Sequence, residues 1–246
     1  MKLKNNYNKT QLNPNIAFER HVYHRDQFAH FFRWSHVLKR ARIGMSILDF
    51  GCGSGNLFEV FYRNRFKPIK YLGLDIRGQI IKKNREIWGP HGADFQEVDL
   101  CQPGAVSSLG TGWDLVCSFE VVEHIGKERI SSFLNNLKDL FSTQTTGLVS
   151  TPCYDEKMGS AANHIINGQV GEMTYEEFRQ ILEPRFKIVN RWGTFASVKD
   201  YKPQLSEELK PIYERLHEYY DPNLLACLMA PLFPEHSRNV LWEVTL

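Results

Sequence analysis

A chain of 246 residues with 42% apolar and 24% charged side chains is long enough to bury one substantial core and short for two full α/β domains. No run approaches the roughly 18 to 20 apolar residues of a membrane span, which excludes a bilayer-spanning protein and argues for a soluble one without a membrane partner. Formal net charge is only +2, and Cys52, Cys101, Cys117, Cys153 and Cys227 are scattered without a CxxC pair, so a disulfide framework and a zinc knuckle are not indicated and a reducing cytoplasm is expected.

Residues 1–15 are polar throughout, lack the apolar stretch of a secretory signal and read as a flexible tail, leaving 16–246 as one domain. From Ile16 to Arg42 the positions Phe28, Phe31, Phe32, Ser35 and Leu38 recur at three- and four-residue spacing, which predicts a leading helix. Residues 1–42 carry nine Lys or Arg against Glu19 and Asp26, together with His21, His24, His30 and His36. That excess is either a solvated helix face or a patch that meets a phosphate-bearing substrate.

Strands and helices then alternate. A strand Ser46 to Phe50 precedes a helix from Asn56, and a strand Tyr71 to Asp75 precedes a helix Gly78 to Trp88. Strands Asp94 to Leu100 and Asp114 to Ser118 follow, then a helix Lys127 to Phe141 and a strand Gly147 to Thr151. Thr174 and Glu177 form a capping pair at the start of another helix. This pattern predicts an α/β fold whose five parallel strands are joined by crossover helices. Two more strand-like runs, Phe186 to Phe195 and Asn239 to Leu246, enclose a segment rich in aromatic residues. That segment, 198–236, is expected to be a helical insert whose Tyr201, Tyr213, Tyr219, Tyr220, Phe233 and His236 either form a lid that stacks on a planar substrate or belong to a helical subdomain in which Leu209, Leu216 and Leu224 pack with their aromatic neighbours.

The run Asp49-Phe50-Gly51-Cys52-Gly53-Ser54-Gly55 ends the first strand and opens a helix, so three glycines occupy the tight turn where a ligand approaches backbone closely. Nicotinamide and flavin enzymes seat a pyrophosphate on a similar turn, which leaves a nicotinamide oxidoreductase as one alternative. Here, however, an acid precedes the first glycine; it would repel a pyrophosphate and suits the ammonium of a methionine moiety. Asp75, ending the second strand, can accept both hydroxyls of a ribose. Asp99, expected to end the third strand, is placed to accept from an adenine amino group.

With these motifs the sequence resembles the class I S-adenosylmethionine-dependent methyltransferase family from about Met45 to the C-terminus, the run Trp113-Asp114-Leu115-Val116-Cys117-Ser118 matching a further motif. The resemblance implies a Rossmann-like seven-stranded mixed sheet, with an N-terminal helix and a helical insert before the last strand. It also implies that the last two strands pair antiparallel and that the terminal one is inserted into the sheet. S-adenosyl-L-methionine is the cofactor implied, with Asp49, Gly51, Cys52, Gly53, Gly55, Asp75, Ile76, Asp99, Leu100 and Phe119 as its contacts.

After the fourth strand, Glu120, Glu123 and His124 stand at spacings that share one face of a helical turn. Two carboxylates and an imidazole make either a divalent-metal site or a general-base cluster that deprotonates a hydroxyl. The ExxEH pattern is similar to that of ubiquinone-biosynthesis O-methyltransferases and small-RNA 2′-O-methyltransferases, in which these residues bind a divalent metal. The similarity implies Mg or Zn held by Glu120, Glu123 and His124, with His164 as a candidate fourth ligand. The catalytic expectation is that Glu123 or His124 takes a proton from an oxygen nucleophile, directly or through a metal held with Glu120. The acceptor is expected to be a small molecule or nucleotide-like; a nucleic acid is the alternative acceptor, and a catalytically idle cofactor-binding subunit the alternative role. Cys153 follows Pro152 but lacks the surroundings of a covalent methyltransferase nucleophile.

Overall fold

The structure is a computed structural model that describes residues 25–154, 165–166, 169–196 and 201–246. The leading helix α1 spans Arg25–Arg40. Strand β1, Ser46–Phe50, is buried along its whole length, as expected of a strand covered on both faces. Helix α2, Asn56–Arg63, leads to β2, Lys70–Asp75, and helix α3, Gly78–Trp88, to the short β3, Asp94–Glu97. Next come β4, Leu115–Phe119, helix α4, Ile130–Lys138, and β5, Thr146–Pro152. An antiparallel pair that the sequence pattern does not announce, β6 (Ile165–Ile166) and β7 (Gln169–Val170), precedes α5, Tyr175–Leu182. Strand β8, Lys187–Ala196, helices α6, Leu209–His217, and α7, Pro222–Met229, and strand β9, Ser237–Thr245, complete the order.

The large sheet is mixed and runs β3-β2-β1-β4-β5-β9-β8, with β9 inserted between β5 and β8 as the resemblance implies. β1 pairs parallel with β2 on one side and β4 on the other, so Asp49 lies opposite Gly73 and Cys117. Chain order therefore reverses at β1, and the crevice at its carboxyl end is where an open α/β sheet binds ligands. The third strand stops at Glu97, so Asp99 lies two residues beyond it rather than at its end.

The chain forms two compact units. In the unit made of His36–Arg191 and Val240–Leu246, one face of the sheet packs Leu48, Phe50, Leu72, Leu74, Val116 and Val149 against Phe133, Leu134 and Leu137 of α4. On the other face, Phe58 and Phe61 of α2 pack on Tyr71. Strand alternation divides β9 between two tasks. Val240, Trp242 and Val244 enter the apolar core, where Trp242 stacks on Tyr175 and meets Phe178 edge-on. Glu243 points the other way and accepts from Arg40 Nε and Asn190 Nδ2, each at 2.6 Å. Helix α5 begins with the expected capping box, Thr174 N to Glu177 Oε2 at 2.8 Å and Glu177 N to Thr174 Oγ1 at 3.1 Å.

The other unit comprises the described residues up to Ser35 and those between Trp192 and Asn239, and has its own core of Tyr201, Leu205, Tyr213, Leu225, Met229 and Ala230. Tyr201 and Tyr213 are fully buried there, and Tyr201 stacks on Phe233, so these aromatics pack among themselves while Tyr219 and Tyr220 are exposed. Buried Arg33 donates to Asn239 Oδ1 at 3.3 Å, and Thr194 Oγ1 donates to the same oxygen at 2.9 Å. Two of the leading helix's cations, Arg33 and Arg40, are thus committed to structural partners. Among the described residues no helix is long and apolar enough to cross a membrane.

Replacing Trp242, which is 0% exposed, by alanine removes the ring on which α5 rests. Trp242→Ala is expected to lower unfolding stability by about 3–5 kcal/mol, read from denaturant melts.

Candidate cofactor and acceptor site

Gly51, Gly53 and Gly55 have φ of +93°, +52° and +76°, backbone that side chains rarely adopt. Gly51 N and Cys52 N both donate to Leu74 O at 2.8 Å, tying the turn to the end of β2. Gly53 N donates to Asp75 Oδ2 at 2.9 Å, and Asn84 Nδ2 donates to Gly53 O at 2.7 Å. A Cβ on Gly51 would lie 2.3 Å from Val121 Cγ2, so the turn after β4 packs directly on the glycine turn. At Gly53 the nearest atom to a Cβ would be Arg77 Nη2 at 3.5 Å, which leaves that stretch of backbone approachable.

Each predicted acid has a different partner. Asp49 is buried and accepts from Tyr71 Oη at 2.7 Å. Gly73, directly opposite, has no side chain, and Tyr71 reaches Asp49 along the diagonal of the β1–β2 pair. Burial pushes the Asp49 carboxyl up to about 7, against the Tyr71 hydrogen bond and with the Asp75 charge adding to it. For Asp75 burial acts to raise the carboxyl, but the Arg77 side chain and the backbone N–H groups of Arg77 and Gly53 outweigh it and hold the group below its usual value. Asp99 accepts from Cys101 N at 3.0 Å and from Arg129 Nη2 at 2.9 and 2.7 Å. Ile76 is exposed beside Asp75. The Leu100 side chain lies in the core and its carbonyl accepts from Asn136 Nδ2, and the Cys52 thiol is buried and pushed far above its usual range.

The second constellation departs from the expected helical turn. Phe119, half-buried, pairs with Ser150 at the end of β4, and Glu120 then turns the chain with φ +57°, a conformation costly for a residue with a side chain. Glu120 N donates to Ser150 O at 3.0 Å, and Ser150 Oγ donates to Glu120 Oε1 at 2.7 Å. Val122–His124 is a single 3₁₀ turn. Its Glu123 is 1% exposed and accepts from Thr151 Oγ1 at 3.3 Å, while the exposed His124 places Nε2 3.8 Å from Glu123 Oε1. Ser150 and Thr151 are consecutive strand residues, so the two carboxylates are held by hydroxyls that alternate along β5.

Among the described residues no three His, Cys, Asp or Glu side chains form a group able to hold a metal ion, and His164, the candidate fourth ligand, lies outside the described residues. Burial and the fields of Glu120, Glu172 and Glu123 raise the Cys153 thiol far above its usual range, which makes it a poor nucleophile. Sequence reasoning passed over the roles of Tyr71, Arg77 and Arg129, and read Ser150 and Thr151 only as part of a Ser-Thr-Pro run ahead of His164. Of these only Arg77 carried a signal, an arginine at a helix start where a capping residue is favoured.

Residues 23–206 match the model of a family described as a methyltransferase domain. Among solved structures the chain is similar to a SAM-dependent methyltransferase from Archaeoglobus fulgidus, with a TM-score of 0.57 and 17% identity over 95% of this chain and 100% of that one. It is also similar to a TehB-like SAM-dependent methyltransferase from Corynebacterium glutamicum, with a TM-score of 0.57 and 16% identity over 87% and 86%. A geranyl diphosphate C-methyltransferase from Streptomyces coelicolor gives a TM-score of 0.55 and 11% identity over 88% and 80%. At these identities the likeness is one of fold. No curated protein matches the sequence.

Because folded Asp49 keeps its proton up to about pH 7 while an unfolded chain releases it near the ordinary carboxyl value of 3.8, its burial makes the fold less stable as pH rises through that window. A ligand ammonium favours the ionised form, so affinity for S-adenosylhomocysteine is expected to rise about tenfold from about pH 6 to 8, and to be flat in Asp49→Asn. Titration calorimetry across that range checks it; a flat wild-type profile contradicts it.

Proposed function

The chain belongs to the methyltransferase-domain family, and from that premise we propose that it methylates an oxygen nucleophile on a small-molecule or nucleotide-like acceptor, with His124 as general base and Glu123 as the carboxylate that holds the imidazolium. The cofactor of the family is S-adenosylmethionine, whose sulfonium supplies an electrophilic methyl group when bound. The residues present fit it: approachable left-handed backbone at Gly53, a buried acid at Asp49 for the ammonium, and a strand-end acid at Asp75 for the ribose. Exposed Ile76 offers an apolar surface to the adenine, and Asp99 an acceptor.

The observation that carries the catalytic assignment is the packing of Val121 on Gly51, because it fixes the Val122–His124 turn against the turn that would hold the methionine end. In-line displacement requires chiefly that acceptor and methyl carbon be held close and aligned, and that the acceptor lose its proton in the transition state. An exposed imidazole backed by a buried carboxylate suits that second requirement, since the carboxylate stabilises the cation formed on proton uptake. The 3.8 Å separation of His124 Nε2 and Glu123 Oε1 is longer than a hydrogen bond but within ion-pair range, so the carboxylate acts on the ring through its charge. Glu120, which accepts from Ser150, acts as a positioning residue that sets the turn. Among the described cations of the leading helix, Arg33 and Arg40 are turned into structural bonds rather than toward a phosphate-bearing acceptor.

The test is an assay of S-adenosylhomocysteine release over a panel of hydroxyl, amine and thiol acceptors, followed by variants. Glu123→Gln and His124→Ala are each expected to cut turnover of a hydroxyl acceptor by about 10²- to 10⁴-fold, with S-adenosylhomocysteine affinity unchanged. Full turnover in both variants, or turnover confined to amines or thiols, would overturn the assignment.

A further inference from the structure

Arg77 occupies the N-cap of α3 and makes no capping bond there. That position favours a side chain that accepts from first-turn amides, and a cation there opposes the helix dipole. Where a residue breaks a local rule without benefit to its own element, a task elsewhere is the natural explanation.

The task is a grip on Asp75. Asp75 Oδ1 accepts from Arg77 N at 3.0 Å and from Arg77 Nε at 2.9 Å; Oδ2 accepts from Gly53 N at 2.9 Å and from Arg77 Nη2 at 3.0 Å. An ionised carboxylate offers about four lone-pair sites, and here all are engaged. Two are held by backbone amides that fix the carboxylate in place, and two by the planar guanidinium fork. A ribose brings two vicinal O–H donors, so the sites it requires equal in number those the fork holds. The Asp75 side chain is only 7% exposed, whereas that of Arg77 is 57% exposed and can swing into solvent without moving the acid.

We propose that Arg77 sets the affinity of the cofactor site: its guanidinium competes with the ribose hydroxyls for Asp75, and a ligand must displace the fork to bind. Release leaves Asp75 held by Gly53 N and Arg77 N, oriented to accept the diol. Displacement costs an ion pair that is half exposed on one side, which limits the effect to a modest factor. The inference rests on the S-adenosylmethionine reading above.

Titration calorimetry with S-adenosylhomocysteine on wild type, Arg77→Ala and Arg77→Lys tests it, with circular dichroism to show that the variants fold. Arg77→Ala is expected to bind about three- to tenfold tighter than wild type. Arg77→Lys, which keeps the charge and loses the fork, is expected to fall between the two. Equal or weaker binding by Arg77→Ala, with wild type still binding, would overturn the competition and leave the cofactor reading standing. A parallel readout is the Arg77 Nε–H resonance in a ¹⁵N-arginine-labelled sample: loss of its protection on ligand addition supports displacement, and unchanged protection overturns it. Absence of binding by wild type and both variants would remove the cofactor reading and this inference together.

Discussion

One carbonyl, Leu74 O, accepts the N–H groups of both Gly51 and Cys52, and most of the candidate site is organised around that junction. It joins the end of β2 to the turn that leaves β1, so that Gly53 N reaches Asp75. The turn needs left-handed backbone at three positions, which glycine alone supplies without strain. Because Gly51 has no Cβ, Val121 can close on it from the other side, and the turn after β4 inherits its place from the turn after β1. Candidate binding surface and candidate base are therefore set by one local backbone arrangement at the switch point of the sheet.

Three acids near the carboxyl ends of successive strands would destabilise the fold if all were ionised and unpaired. Each is handled differently. Asp49 is desolvated enough to hold its proton near neutrality and shares a hydrogen bond with Tyr71. Asp75 is kept ionised by an arginine fork and two backbone amides, and Asp99, more exposed, by Cys101 N and Arg129. A carboxylate held in this way is already oriented, so a ligand that replaces the arginine pays little to order it.

Much of the fold was legible in the chain. Fully buried strands such as Ser46–Phe50 read as continuous apolar runs, the glycine turn followed at once, and Thr174 with Glu177 marked the start of α5. The candidate site was legible only where chemistry resides in local sequence. The convergence expected of Glu120, Glu123 and His124 assumed helical spacing, and Glu120 instead adopts positive φ because its carboxylate and amide are both engaged by Ser150. The Tyr71–Asp49 and Arg129–Asp99 pairs join residues 22 and 30 apart, which depend on register and on loop paths that no local pattern encodes. The end of β3 at Glu97 shows the same limit, because Asp99 leaves the ladder to accept from the Cys101 backbone.

The central claim is that the crevice at the carboxyl end of β1 and β2 binds S-adenosylmethionine through Asp75. The most direct measurement is equilibrium titration of the wild-type chain and Asp75→Ala with S-adenosylhomocysteine. Binding at one site per chain that weakens by at least about tenfold in Asp75→Ala is the predicted result, since a charged acceptor of two hydroxyls is removed. No binding by wild type, or equal binding by both proteins, would contradict it.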